Sequence, residues 1–303
     1  MRADRPAAGP GSTADVFTGA LAAICRECGL DPDGARLIRH VNNAVFHLAT
    51  DPVVVRLVTL PSYVPRAELA VMAATWFARH GVPAIRLVGG IDQPVRVGGY
   101  VATVWEAVPP VGPPPGGVDL ARMLRMLHGL PVPEGSLPSW DPLADFINRL
   151  ADATELATED RGFLQRRCDE LAAALTELHF PLPRAVLHGD AHLGNVIPGP
   201  DGPLLCDFDS CCIGPPEWDL TPMAVSAVRF GRPAQHQADL AAGYGFDVTA
   251  WDGFEVLRGI RDLKLAQGVF PAPGRGPRVA AEFRVRMASL RAGRVDDRWS
   301  LLR

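Results

Sequence analysis

The chain has 303 residues, 48% of them hydrophobic and 21% charged, with a formal net charge of −4. That profile fits a globular protein with room for two lobes, each with its own core. It argues against the broad basic footprint of a nucleic-acid binder, and no stretch reaches the ~20 apolar residues that a membrane span needs. The N-terminal MRADRPAAGPGS has no apolar run of the secretory kind, so a cytoplasmic location is expected.

Taken in chain order, residues 12–15 read as a helix start, and helical apolar spacing continues through Leu30, with Gly29 near the stop. Cys25 and Cys28 form a C-x-x-C inside this helix. No second Cys or His pair follows at zinc-finger spacing, so they read as small buried thiols, as does the later group Cys206, Cys211 and Cys212. Strands are expected over 37–41, 44–49 and 53–59, with Thr50-Asp51-Pro52 turning between the second and third. A helix over 65–80 stops at Gly81. Two further strands over 84–88 and 100–105 complete a five-stranded antiparallel sheet. Residues 108–117 contain five prolines and three glycines, the composition of a semi-rigid connector. Beyond them the pattern is helical over 118–128, 142–156 and 162–178 and again after Pro216, interrupted by a strand-like island over 185–209. The expected organisation is an N-terminal lobe over 1–107, a linker over 108–117 and a larger helical lobe over 118–303, with the cleft between them the natural place for a ligand.

The island carries the chemistry. It reads Leu187-His188-Gly189-Asp190-Ala191-His192-Leu193-Gly194-Asn195, then Leu204-Leu205-Cys206-Asp207-Phe208-Asp209. The order H-x-D-x-x-x-x-N followed by a carboxylate after a strand follows the logic of kinase phosphoryl transfer. One carboxylate, Asp190, meets the acceptor hydroxyl, while the Asn195 amide and the Asp207 carboxylate hold the metal that bridges the phosphates. Hard oxygen ligands of this type suit magnesium. A metal-hydrolase reading, with His188, His192, Asp190 and Asp207 as ligands, leaves Asn195 and the N-terminal lobe without a part to play.

The string, with Gly214-Pro215-Pro216-Glu217-Trp218-Asp219-Leu220 after it, resembles the aminoglycoside phosphotransferase family and its choline-kinase-like relatives. The resemblance runs from Leu37 to the last helices and is most specific in the catalytic loop. It implies an α+β, bilobal protein-kinase-like fold, with ATP or GTP as phosphoryl donor and Mg2+ as cofactor. It also implies a cation on the third strand paired with a helix glutamate. Arg56 stands where the family commonly has lysine, with Glu68 as the matching partner. Lys264, the one lysine of the chain, lies far into the second lobe. Asn42 and Asn43, at the first strand turn, are candidates to meet the phosphates. Trp105, Glu106 and Val108 resemble the hinge that meets the base. His188 and Asp219 are expected to support the catalytic loop, and Asp209 and His192 complete the candidate set.

Only Ser210 to Pro216 separate the metal motif from the Glu217 segment, too few residues for the activation segment of a protein kinase. The expected acceptor is therefore a small hydroxylated molecule, with no protein, nucleic acid or membrane partner. An antibiotic or related natural product leads. Choline, homoserine or a sugar remains open within the same fold, as does a non-catalytic nucleotide-binding scaffold. The acidic residues of the late helices, Asp239, Asp247, Asp252, Glu255 and Asp262, are accompanied by arginines and do not single out a polycationic acceptor.

Overall fold

A computed structural model describes residues 17–40, 43–133, 135, 137–272 and 275–302. The helix start expected at 12–15, the strand end at Val41 and the candidate Asn42 lie outside the described residues. The chain divides into two compact units. One comprises the described residues up to Pro113 together with Ile197–Ser210; the other comprises Pro114–Val196 and the chain from Cys211 onward.

In the first unit, α1 (Thr18–Cys28) ends at Gly29 in a left-handed conformation, φ 68°. Then come β1 (Arg36–His40), β2 (Asn43–His47), β3 (Val53–Val58), α2 (Val64–Arg79), β4 (Val95–Val97) and β5 (Tyr100–Glu106). They form an antiparallel sheet in the order β1-β2-β3-β5-β4. The two-residue period of β3 buries Val53, Val55 and Leu57 against Leu21, Ile24 and Cys25 of α1. Full burial of such aliphatic side chains contributes about 1.5–3 kcal/mol each. The same alternation puts Arg56 on the opposite face.

The five-stranded antiparallel sheet is as expected, but its fifth strand is not. Residues 84–88 make only isolated bridges, Ala84 to Leu205 and Leu87 to Trp105. The fifth strand is β4, joined to β5 by Gly98-Gly99. Both glycines have positive φ, 56° and 82°, as a two-residue hairpin turn requires. The backbone of 83–85 is committed elsewhere: Ile85 N–H donates to Leu205 O (2.9 Å), and Leu205 N–H donates to Pro83 O (2.9 Å). These bonds draw Ile197–Ser210 into the first unit, so the expected single lobe over 118–303 is interrupted by a segment that packs with the N-terminal sheet. Phe208 seals the join, edge-on to Phe77 (5.1 Å) and tilted against Trp105 (5.8 Å).

The second unit begins with α3 (Gly117–His128), α4 (Ala144–Asp152), α5 (Thr158–Thr176) and β6 (Ala185–Leu187). The paired strands β7 (Val196–Gly199) and β8 (Gly202–Leu205) intervene, and β9 (Cys212–Gly214) returns antiparallel to β6. Next are α6 (Glu217–Phe230), α7 (Ala234–Tyr244), α8 (Phe254–Gln267) and α9 (Gly276–Arg291). The core gathers Phe146, Leu150, Leu171, Trp218, Ile260 and Phe283. A buried ion pair joins α6 to α8, with Arg229 Nε 2.9 Å from Asp262 Oδ1 and Nη2 2.5 Å from Oδ2. Among the described residues no helix is long and apolar enough to cross a membrane.

Candidate active site

In the second unit, β6 is fully buried and delivers the chain into the loop that carries Asp190. Gly189 takes φ 83°, a conformation that a side chain would strain. The loop is fastened from α6: Asp219 accepts the N–H groups of His188 and Gly189, both at 2.7 Å, and Trp218 Nε1 donates to Gly189 O at 2.9 Å. Asp219 is itself fully buried, so these charge-assisted bonds act at low dielectric. Behind it, His128 at the end of α3 places Nε2 3.2 Å from Asp219 Oδ2 and Nδ1 2.9 Å from the Tyr244 hydroxyl. Burial, with Asp219 and Glu217 nearby, pushes the Tyr244 phenol well above its ordinary value. A carboxylate oxygen only accepts, so the Asp219 contact is made by a His128 Nε2–H, and the sense of the bond to Tyr244 follows from what Nδ1 carries.

The short helical turn Leu193–Asn195 closes the loop. Asn195 is buried, and its Nδ2 donates to the Asp190 carbonyl at 3.0 Å. His192 caps this turn, its Nδ1 accepting from Gly194 N–H at 3.0 Å. His188 is buried, with Nδ1 3.3 Å from the Asp190 N–H. Asp219 thus bonds the backbone of the Asp190 loop from outside it, and His188 bonds it from within.

Asp190 has two neighbours on α8, Arg261 and Lys264, that no motif in the sequence marks, besides His192 of its own loop. Arg261 of α8 places Nη2 2.6 Å from Asp190 Oδ1, and His192 Nε2 lies 3.7 Å from Oδ2. Lys264, one turn further along α8, lies over the Trp218 ring at 5.2 Å. Burial alone would raise the Asp190 pKa; Arg261, followed by His192, Lys264 and His188, outweighs it and holds the carboxyl well below the usual range. The group is an ionised carboxylate at neutral pH, with its side chain 34% exposed. Arg261 is nearly buried, and a buried charge must be paired. That requirement is the one sequence signal that could have pointed to it.

In the first unit, Asp207 has φ 67° and is the one non-glycine residue with positive φ among the described residues. Arg56 Nη1 lies 2.8 Å from Asp209 Oδ1 and 3.4 Å from Asp207 Oδ1, and Nη2 bonds Asp209 Oδ2. With the Asn43 amide oriented so that its oxygen faces the guanidinium, that oxygen accepts from Nε (2.9 Å) and Nη2 (2.7 Å). Burial opposes the charge on Arg56, and Asp209 and Asp207 outweigh it, keeping the guanidinium protonated.

The expected pairing of Arg56 with Glu68 does not form. The buried stripe of α2 runs through Ala67, Ala70, Ala74 and Phe77, leaving Glu68 exposed beside it, where it pairs with Arg96 of β4. At the hinge-like segment, the Trp105 side chain is buried, with Nε1 donating to Thr103 Oγ1 (2.7 Å). The Glu106 and Ala107 N–H groups donate to Arg86 O and Pro52 O, and Val108 is half-buried next to them.

Asn195 and Asp207 offer oxygen donors of the type magnesium takes, and magnesium is commonly held by one or two such groups together with substrate phosphates. Each residue, taken in its own unit, therefore has the donor chemistry of a metal that arrives with a nucleotide. No group of three or more His, Cys, Asp or Glu that could hold a metal ion occurs among the described residues, so the four ligands of the hydrolase reading are not assembled. The cysteines are unbridged. Cys25, Cys211 and Cys212 are buried as expected, while Cys28 and Cys206 are half-buried; burial pushes the Cys25 thiol up to about 11 and the Cys206 and Cys212 thiols up to about 12.

The family model described as the phosphotransferase enzyme family matches residues 34–259. No curated protein matches the sequence. Among solved structures, the chain is similar to amicoumacin kinase hAmiN in complex with AMP-PNP, Ca2+ and Ami, at 13% identity over 94% of each chain with a TM-score of 0.67. It is also similar to a choline/ethanolamine kinase family protein from Mesorhizobium loti, at 18% identity over 92% of this chain and 94% of that one, TM-score 0.64. Aminoglycoside phosphotransferase APH(3'')-Id from Streptomyces rimosus matches at 22% identity over 81% of this chain and 97% of that one, TM-score 0.59. At these identities the likeness establishes the fold, the protein-kinase-like α+β fold expected from the catalytic string.

Proposed function

The chain belongs to the phosphotransferase enzyme family, and on that premise we propose that it moves the γ-phosphoryl group of ATP or GTP to a hydroxyl of a small molecule. An antibiotic or related natural product is the leading acceptor class. The observation that carries the reading is the fastening of the Asp190 loop. Its amides are held by a buried carboxylate, and the half-buried Asp190 carboxylate is kept ionised by Arg261, the state in which it can accept a hydrogen bond from an acceptor hydroxyl and orient it.

In this reading Asp190 orients the acceptor hydroxyl and takes its proton as the oxygen bonds to phosphorus. Asn195 and Asp207 hold magnesium, which when bound neutralises charge on the phosphates. Asp219, with His128 and Tyr244 behind it, keeps the loop in register. Arg261 and Lys264 supply positive charge beside Asp190, where the transferred group's negative charge can be met. The segment after Asp209 passes through β9 directly into α6, which supports a small acceptor over a docked peptide.

The same two cations favour a second reading for the acceptor. A neutral or carboxylate-bearing metabolite, such as a sugar or homoserine, suits a site walled by the buried Arg261 and the half-buried Lys264 better than a polyamine or choline does. A nucleotide-consumption screen with ATP and with GTP, across hydroxylated antibiotics and such metabolites, tests the assignment. Asp190→Ala is expected to abolish turnover while nucleotide affinity stays within about threefold of the parent. Turnover retained in Asp190→Ala would refute the role given to that residue.

A further inference from the structure

The family resemblance casts Arg56 as the grip on the nucleotide phosphates, with Glu68 holding it in place. The geometry points to a different role. We propose that Arg56 is a positioning residue that clamps the Asp207-Phe208-Asp209 segment, with Asp209 and Asn43 as the other jaws. Asp207 is thereby presented as a metal ligand, and Arg56 does not itself bind phosphate. The inference rests on the proposed function, because it takes Asp207 to be a magnesium ligand.

Three observations within the first unit carry it. First, every nitrogen of the guanidinium already faces an oxygen of the chain. Nε faces Asn43, Nη1 faces Asp209 and Asp207, and Nη2 faces Asp209 and Asn43. An arginine has five N–H groups in a rigid fork, and these partners match its capacity, so a phosphate would have to displace a carboxylate.

Second, the Arg56 partners are fixed. Asn43 is buried at the start of β2, two strands from β5 in the same sheet, and Arg56 is anchored between them on β3, in register with Val45 and Thr103. The sheet therefore supplies a rigid mount. Phe208 is buried with Phe77 and Trp105, so the segment is pinned at its middle residue and steered by the ion pairs on either side.

Third, Asp207 sits at φ 67°, a backbone region uncommon for residues with a side chain, which an Asp adopts where bonds to its short carboxylate favour it. Holding a ligand carboxylate in such a conformation is work for a neighbour that grips both the residue and its flank. Arg56 reaches both Asp207 and Asp209, and the bidentate contact with Asp209 sets the direction from which Nη1 meets Asp207. A lysine on β3 could reach one carboxylate as a point charge but could not span the pair, which explains why arginine stands at this position.

The test uses the full chain with ATP or GTP, whichever the parent binds. Nucleotide affinity is measured by calorimetry in EDTA and again in saturating Mg2+, and Mn2+ bound in the presence of nucleotide is read by electron paramagnetic resonance. The variants are Arg56→Lys and Asp209→Asn, with melting curves to show that each is folded; if Arg56→Lys does not fold, Asp209→Asn carries the test. Both variants are expected to bind metal-free nucleotide about as the parent does and to lose about 10- to 100-fold in metal affinity, the usual effect of removing an outer-shell partner. A loss of metal-free nucleotide affinity in Arg56→Lys with Asp209→Asn unaffected would make Arg56 a phosphate ligand and overturn the clamp. A metal-dependent gain that survives intact in Asp209→Asn overturns it as well. A parent chain with no metal-dependent gain would instead sink the proposed function, a result distinct from either of these.

Discussion

The ion pair between Arg229 and Asp262 offers the sharpest stability test. Both side chains are 3–4% exposed. Arg229 lies on α6, the helix that bears Asp219, and Asp262 lies on α8, the helix that bears Arg261, so the pair braces the two elements that flank the Asp190 loop. Arg229 Nη1 also donates to Arg294 O (2.9 Å) and Asp297 O (3.2 Å), and its guanidinium lies over the Trp299 ring at 4.2 Å. Arg229→Met removes one charge and strands the other. Breaking a buried pair from one side costs about 3–5 kcal/mol, because the remaining carboxylate has lost both water and partner. The lost carbonyl bonds and the ring contact, about 0.5–2 kcal/mol each, overlap with that figure and are not added to it. Asp262→Leu should cost a similar amount. The double variant should be more stable than the sum of the two losses predicts, by about 2–4 kcal/mol, since no charge is then left unpaired. Urea unfolding followed by tryptophan emission reads mainly the second unit, where four of the six tryptophans, Trp140, Trp218, Trp251 and Trp299, lie, and it is repeated in a background with Trp76 and Trp105 of the first unit replaced by Phe. A loss below about 1 kcal/mol in Arg229→Met, or strict additivity in the double variant, would refute the reasoning.

Other consequences follow from the loop and the core. Asp219→Asn leaves one oxygen for two N–H donors and should lower kcat about 100-fold with little change in nucleotide affinity; an unchanged kcat would mean the loop holds without it. Arg261→Met should lower kcat and destabilise the fold, with Arg261→Lys recovering part of both. Because the Asp190 pKa is depressed in the folded chain, the Arg261 contribution is present above the unfolded carboxylate pKa of about 3.9 and is lost as pH falls through the folded value. The difference in Tm between parent and Arg261→Met should therefore be widest near neutral pH and shrink below about pH 4; a gap that widens on acidification has the wrong sign. Cys28, half-buried, should react with iodoacetamide at pH 8 well before Cys25, whose thiol is buried and pushed up to about 11; equal rates would misplace α1.

What the sequence makes legible is local. The strands β2 and β3 show themselves by alternation, and Val53, Val55 and Leu57 fall on the buried face as a two-residue period demands. The fifth strand is less accessible because 84–88 has apolar strand composition, yet its backbone bonds are divided between Leu205, far along the chain, and β5, which leaves two isolated bridges in place of a ladder. The Gly98-Gly99 turn, with Val95–Val97 before it, is the signal that outweighs composition. Pairing Glu68 with Arg56 rests on analogy of position, although the helical period already sets Glu68 off the Ala67, Ala70, Ala74 and Phe77 stripe.

The Asp190 loop and α8 mark the limit of such reading. His188, Asp190 and Asn195 occupy one loop, so their spacing alone conveys a geometry. Arg261 and Lys264 carry no motif, and on the sequence they are two cations in one of several charged helices. Yet Ile260 and Leu263 bracket Arg261 and Asp262 in the same turn of α8, and all four are buried. A helix that buries charge among aliphatic side chains must supply each charge with a partner, at a cost of several kcal/mol if it does not. The pattern Ile-Arg-Asp-Leu-Lys therefore states a demand without naming who meets it. Folding meets it with Arg229 for Asp262 and with Asp190 for Arg261, and the second of these pairings brings an otherwise anonymous helix into contact with the residue assigned the acceptor proton.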